Sequence, residues 1–256
     1  MTGTIAVGPV LAIVLVLLAG LGAVIVWVGR VGTWHTVLTA SARAVIQLAA
    51  VSLLITAVLR SDRLTAGFVL MMFTIACLTS ARRIGTWSDG RWTAPALACG
   101  VVPVLALVLA SGLVPATPIA VVPIAGILIG GAMTATSLAG RRVREELRTR
   151  HGEYEAALAL GFMPRDAALL IARPSAGSAL VPALDQTRTV GLVTLPGAFV
   201  GVLLGGASPI QAGATQVLVL IALLAVESAA VVATVELMAR NGVATQGIDR
   251  PRTGLR

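Results

Sequence analysis

The chain has 256 residues, 57% of them hydrophobic and 12% charged, with a mean hydropathy of +0.95. That balance excludes an ordinary water-soluble domain and places most of the chain in a lipid bilayer. The net charge of +8 comes from nineteen arginines and no lysine, so the chain lacks the lysine that a conventional P-loop ATPase site requires.

Apolar stretches of bilayer length, about 20 residues each, fall at 9–28, 37–59, 64–81, 94–113, 119–139, 189–206 and 212–239. They predict an all-α integral membrane protein of seven transmembrane helices. The first stretch has no basic n-region or clear cleavage site and is expected to be a span rather than a removable signal. Cys77 and Cys99 lie within apolar stretches without ligand-spaced partners, and both are expected to be buried thiols.

Charge orients the spans. With the C-terminus cytosolic, seventeen of the nineteen arginines lie inside, including Arg30, Arg43, Arg82, Arg83, Arg91, the 141–188 region and the tail from Arg240. Only Arg60 and Arg63 remain outside, as the positive-inside rule asks, and the N-terminus is then outside. Aromatics are only 4% and the arginines flank apolar segments, so no nucleic-acid partner is expected despite the basic pI. One membrane domain, residues 1–240, and a polar, flexible cytosolic tail, 241–256, account for the chain.

The longest polar interruption lies between the fifth and sixth apolar stretches and contains EYEAALALGFMPRDAALLIARP, Glu153 to Pro174. Val143, Leu147, Tyr154 and Leu158 share one helical face. Arg141 with Glu145, Arg142 with Glu146, and Glu146 with Arg150 stand four apart and support a solvated helix. Gly161 suits a helix end and Pro164 a helix start, with Pro174 stopping the second helix. The result is a cytosolic helix-turn-helix within about 141–185.

In the spacing of Glu155, Ala156, Ala157, Gly161, Ile171 and Pro174, this segment resembles the EAA coupling loop of ABC-transporter permeases. Arg173 stands where that loop usually has Leu. Together with GILIGGAMTATSLAGRRV (126–143), VGLVTLPGAFVGVLLGGASPIQA (190–212) and the Arg43 and Gln47 pattern, the chain resembles the FetB-type permeases. That resemblance implies the membrane subunit of an exporter of iron or another metal ion in the plasma (inner) membrane. It implies a permease homodimer working with a separate cytosolic ABC ATPase, which would hold the ATP and Mg; no cofactor is expected in this chain. Plant relatives are linked to aluminium tolerance. Gly131 replaces a common Asn, and Ala198 and Phe199 replace a Met pair, so the identity of any metal stays open.

Within the bilayer, Glu227 lies mid-span, where an ionised side chain is costly unless it faces partners or water. Gln216 and Thr234 fall within about 20° of it on a helix, making a polar stripe whose oxygens would suit a hard cation. A structural hydrogen bond or ion pair is the alternative. Pro196 and Gly197 predict a kink or break, a feature of many transport pathways. Gly197, Gly201 and Gly205 repeat every four residues and offer a close-packing face, including one across a dimer axis. Arg43 and Gln47 complete the pathway candidates. Glu236, about 180° from Glu227 and at a depth similar to Arg43, is expected in a structural ion pair. Asp185 and Arg188 are expected to pair locally, and His35 and His151 to be solvated surface residues.

No H-E-x-x-H, G-x-S-x-G or intramembrane aspartate pair is present, so an enzyme is not expected. Two other functions fit the sequence: an ABC importer permease for a small polar solute, and a motor-free channel or membrane scaffold.

Overall fold

The computed structural model describes residues 8–85 and 92–240. Among these residues the regular structure is helical, and a single isolated bridge joins Val190 to Thr194. Seven helical segments are long and apolar enough to cross a membrane. Arg91 and the tail 241–256 lie outside the described residues.

The first compact unit, Met1–Leu64, contains α1 (Pro9–Val28) and α2 (Trp34–Val58). The two helices meet near Gly22, where an added Cβ would stand 3.3 Å from a Val37 methyl. Little else is buried; Ala23 and Val58 are the buried residues of the two helices, and most of their Leu, Ile and Val side chains are exposed. Such an apolar surface suits lipid rather than water. α2 begins three residues before the predicted span, and His35 stacks on Trp34 within its first turn, with 3.4 Å between ring centroids.

The second unit, Thr65–Arg256, is built on α3 (Asp62–Ile84, from Thr65 on), α4 (Thr93–Ala110), α5 (Pro118–Thr149) and α10 (Pro209–Arg240). Between α5 and α10 the chain forms α6 (His151–Ala159), α7 (Pro164–Ala176), a 3-10 turn (Gly177–Leu180), α8 (Val181–Thr189) and α9 (Gly197–Leu204). One core joins α3, α4, α5 and α10 around Cys77, Leu97, Leu128, Ile129 and Val226. A second joins α5, α6, α7 and α10 around Val143, Leu147, Tyr154, Ile171 and Met238.

Small residues and hydroxyls set the helix spacing. Ser137 donates to the Met133 carbonyl at 2.7 Å and stands 3.3 Å from the Ser80 hydroxyl, which donates to the same carbonyl at 3.2 Å, tying α5 to α3. Arg144 Nη1 donates to the Ile84 carbonyl at 2.6 Å and so satisfies the C-terminal end of α3. At Gly100 a Cβ would lie 2.4 Å from the Val226 carbonyl oxygen, a backbone atom that cannot swing aside. Gly100→Ala is therefore expected to part α4 from α10 and to destabilise the bundle by about 1–3 kcal/mol. A fall in thermal unfolding temperature in detergent would show it, and an unchanged transition would contradict this packing.

Three sequence expectations are corrected. The sixth long apolar helix is Pro164–Thr189, formed by α7, the 3-10 turn and α8, whereas the predicted stretch 189–206 holds only the eight residues of α9. Eight helical residues reach about 12 Å, far short of a hydrocarbon core of about 30 Å. The charges that kept 164–189 out of the predicted spans are paired: Arg165 with Asp166 and Glu236, Arg173 with Glu236, and Asp185 with Arg188. Pro174 lies inside α7 rather than stopping it. Cys99 is exposed, while Cys77 is buried.

Candidate functional site

α6 and α7 form a helix-turn-helix around Gly161, whose φ is +90°. Phe162 N donates to the Ala157 carbonyl at 3.1 Å and Gly161 N to the Leu158 carbonyl at 2.9 Å. This paired geometry closes a helix end through a left-handed residue, which glycine adopts without steric penalty. Pro164 opens α7, where its missing N–H would have had no helical partner.

The motif residues divide by exposure. Glu155, Ala156, Gly161 and Pro174 are exposed, while Ala157 and Ile171 are buried in the core shared with α5 and α10. Val143, Leu147 and Tyr154 line the expected buried face, although the helix breaks at Arg150 and Leu158 is exposed. Glu145 pairs with Arg148 at 3.0 Å, rather than with Arg141, and Arg150 reaches both Glu146 and Glu153. The Arg150 hydrogen bond holds the Glu153 carboxyl below the usual carboxylate range.

His151 is not a free surface residue: its Nε2 lies 3.3 Å from Glu155 Oε1, and its ring stacks on Tyr154 at 6.2 Å. The four-residue spacing of His151 and Glu155 was a legible signal for this contact. Glu236 forms the expected ion pair, with Arg165 and Arg173 of α7 and with Arg240 of its own helix. It accepts from Arg165 Nε at 2.7 Å and Arg240 Nε at 2.6 Å, and Arg173 Nη2 lies 3.7 Å away.

On α10 the polar stripe is real and buried: Gln216, Glu227 and Thr234 are 5%, 8% and 0% exposed. Thr234 donates to the Ala230 carbonyl at 2.6 Å, and its hydroxyl stands 3.3 Å from that of Thr136 on α5. The stripe is not one coordination shell, because Gln216 and Thr234 lie about 16 Å and 10 Å along the helix from Glu227. Among the described residues no three His, Cys, Asp or Glu side chains come together as a metal site.

Glu227 sits where the neighbouring helices come closest. A Cβ on Gly131 of α5 would lie 2.8 Å from Glu227 Oε1 and 2.3 Å from Leu223 Cδ1, and Gly100 of α4 abuts the preceding residue, Val226. Sequence reasoning noticed Gly131 without placing it against Glu227. No donor or cation among the described residues reaches the Glu227 carboxylate, although it is nine-tenths buried.

The helix is interrupted at Pro196, which caps α9 in an extended conformation after the turn through Gly191 (φ +80°). Gly197 opens α9, Gly201 lies within it, and Gly205 is its C-cap; nothing lies within 4 Å of a Cβ on Gly197 or Gly201. Arg43 and Gln47 are exposed on α2 of the first unit.

Residues 9–242 match a family described as an uncharacterised protein family, UPF0014. The chain belongs to this family. It is 35% identical over 196 residues to the UPF0014 membrane protein STAR2 of rice, covering 75% of this chain and 68% of that protein. It is 30% identical over 193 residues to the probable iron export permease protein FetB of Escherichia coli, covering 73% of each. The Arabidopsis thaliana protein ALUMINUM SENSITIVE 3 is 36% identical over 152 residues, 59% of this chain and 56% of its own length. No solved structure matches. This UPF0014 chain is a multi-pass membrane protein, with seven segments able to span a bilayer.

Proposed function

We propose that this chain is the membrane subunit of an ABC transporter that exports iron or another metal ion across the inner membrane. It acts as a homodimer with two copies of a separate ATPase, which carries the ATP and Mg. The knob of α6 and α7 lies on the cytosolic side and docks that ATPase, so in this reading the 164–189 segment, although long and apolar enough to cross a bilayer, does not lie within it along its whole length.

The observation that carries this reading is the two-sided knob. Glu155 and Ala156 present an open face to a partner, while Ile171 and Ala157 are seated in a core built with α5 and α10. Those two helices are also the ones that meet at Glu227 and Gly131. Motion imposed on the knob therefore reaches the helices around the buried carboxylate, and a two-state bundle responds by changing the side to which it opens. The likeness to FetB supports iron as cargo and export as direction. The open faces of Gly197 and Gly201 support close helix packing across the dimer.

The test is ATP-dependent flux of ferrous iron in vesicles holding the permease and its cognate ATPase. Glu155→Arg reverses the charge on the open face without touching the core. It is expected to lower ATPase co-purification and flux at least tenfold while the protein still inserts. Full flux in that variant, or the absence of any ATPase complex with the unaltered protein, would reject the reading.

A further inference from the structure

We infer that Glu236 is a positioning residue that ties α7 to α10, so that displacement of the knob is handed to the helix carrying Glu227; this rests on the coupling role proposed above. The residues of α7 and α10 that share a buried core, among them Ile171, Ala172, Val235 and Met238, are apolar. Apolar contact is non-directional and permits sliding. A guanidinium held on a carboxylate fixes register because its donors are planar and directed.

Arg165 stands in the first turn of α7, and Nε and Nη2 both lie near Glu236 Oε1, at 2.7 and 2.6 Å. Its Nη1 is taken by Asp166 at 2.7 Å, so both edges of the guanidinium are engaged. Arg173, in the last turn of α7, approaches the other Glu236 oxygen at 3.7 Å. One carboxylate thus meets both ends of the knob's second helix. The Glu236 side chain is 23% exposed, against 40% for Arg165, so the anchor lies on the better-buried partner.

Exposed ion pairs of this kind contribute little to stability. Their value here is geometric. α10 is an unbroken helix from Pro209 to Arg240. Glu227 is nine residues from Glu236, about 14 Å along that rod, and on the opposite side of it. A pull at Glu236 therefore tilts or shifts the segment bearing Glu227 instead of dissipating in a loop.

Arg240 provides the internal control. It also donates to Glu236 Oε1, at 2.6 Å, yet it belongs to α10 and ties nothing across elements. In vesicles with the ATPase, ferrous iron flux and ATP hydrolysis are measured together for Arg165→Gln, Glu236→Gln and Arg240→Gln. Arg165→Gln and Glu236→Gln are expected to lose about tenfold in iron moved per ATP, and Glu236→Gln, which lies outside the knob, to keep ATPase binding and hydrolysis within twofold of the unaltered protein. Arg240→Gln is expected to stay within twofold.

Unchanged iron per ATP in the first two, or an equal loss in Arg240→Gln, overturns the tie. Failure of the unaltered protein to bind an ATPase sinks the proposed function instead. Folding is separated from coupling by Arg165→Cys/Glu236→Cys in a background where Cys77 and Cys99 are alanine. A short bismaleimide that re-joins α7 to α10 should raise iron per ATP at least fivefold in that protein, and no rise counts against the tie.

Discussion

Replacing Gly161 by valine is expected to separate ATP hydrolysis from transport while leaving the protein inserted in the membrane. Gly161 has φ +90°, and the two hydrogen bonds that close α6 depend on that conformation. Nothing lies within 4 Å of a Cβ at this position, so crowding plays no part and the whole effect is backbone strain. A β-branched residue forced into positive φ is destabilised by roughly 1–3 kcal/mol, comparable to what the helix closure contributes. The chain relieves the strain by opening the end of α6, which changes the angle at which Glu155 and Ala156 stand relative to α7. The buried anchors Ile171 and Leu169 stay in place, because they belong to α7. Iron moved per ATP is expected to fall about tenfold in Gly161→Val and by a smaller factor in Gly161→Asn, since asparagine tolerates the left-handed region better. Wild-type coupling in the valine variant would show that the turn geometry does not matter to the motor.

Much of this fold was legible because lipid imposes a simple length rule. Six of the seven apolar stretches coincide with long helices, and the glycine and proline that punctuate the knob lie where their conformational preferences put them. The errors share one cause, which is partners supplied by distant segments. Arg165 and Arg173 counted against a long apolar helix through 164–189, yet both reach Glu236 of α10, and the helices through them run from 164 to 189; Asp185 and Arg188 pair locally, as expected. The helix expected beyond the fifth apolar stretch is continuous with it: α5 runs on to Thr149, with Val143 and Leu147 on the expected buried face against the knob.

The candidate site was legible along one helix and illegible between helices. The alignment of Gln216, Glu227 and Thr234 follows from helix periodicity, and all three are buried. That Glu236 meets Arg165, a residue 71 positions away, does not follow from any local pattern. Nor does the approach of Glu227 and Leu223 to Gly131, which exists only because α5 and α10 pack at that level.

Glu227→Gln tests that level directly, and transport is expected to fall at least tenfold while thermal stability in detergent is kept or rises. The carboxylate lies nine-tenths buried with no donor or cation reaching it among the described residues. An ionised group in that position costs several kcal/mol unless a mobile cation, a proton or water compensates it. Glutamine has nearly the same volume and no charge, so it removes that cost without opening a cavity. A residue retained for packing alone would lose nothing by the exchange.

Gly131→Ala approaches the same carboxylate from the opposite helix. The added methyl would lie 2.8 Å from Glu227 Oε1 and 2.3 Å from Leu223 Cδ1, both far ends of flexible side chains. The helices therefore need not part, and the main consequence is to re-aim the carboxylate. An intermediate loss of flux is expected, with normal insertion. If the two changes act through one group, Gly131→Ala added to Glu227→Gln should cost little more than Glu227→Gln alone, the non-additivity expected of residues in direct contact. Independent, multiplying losses would mean that Gly131 serves helix packing only, and wild-type flux in Glu227→Gln would take the carboxylate out of the pathway.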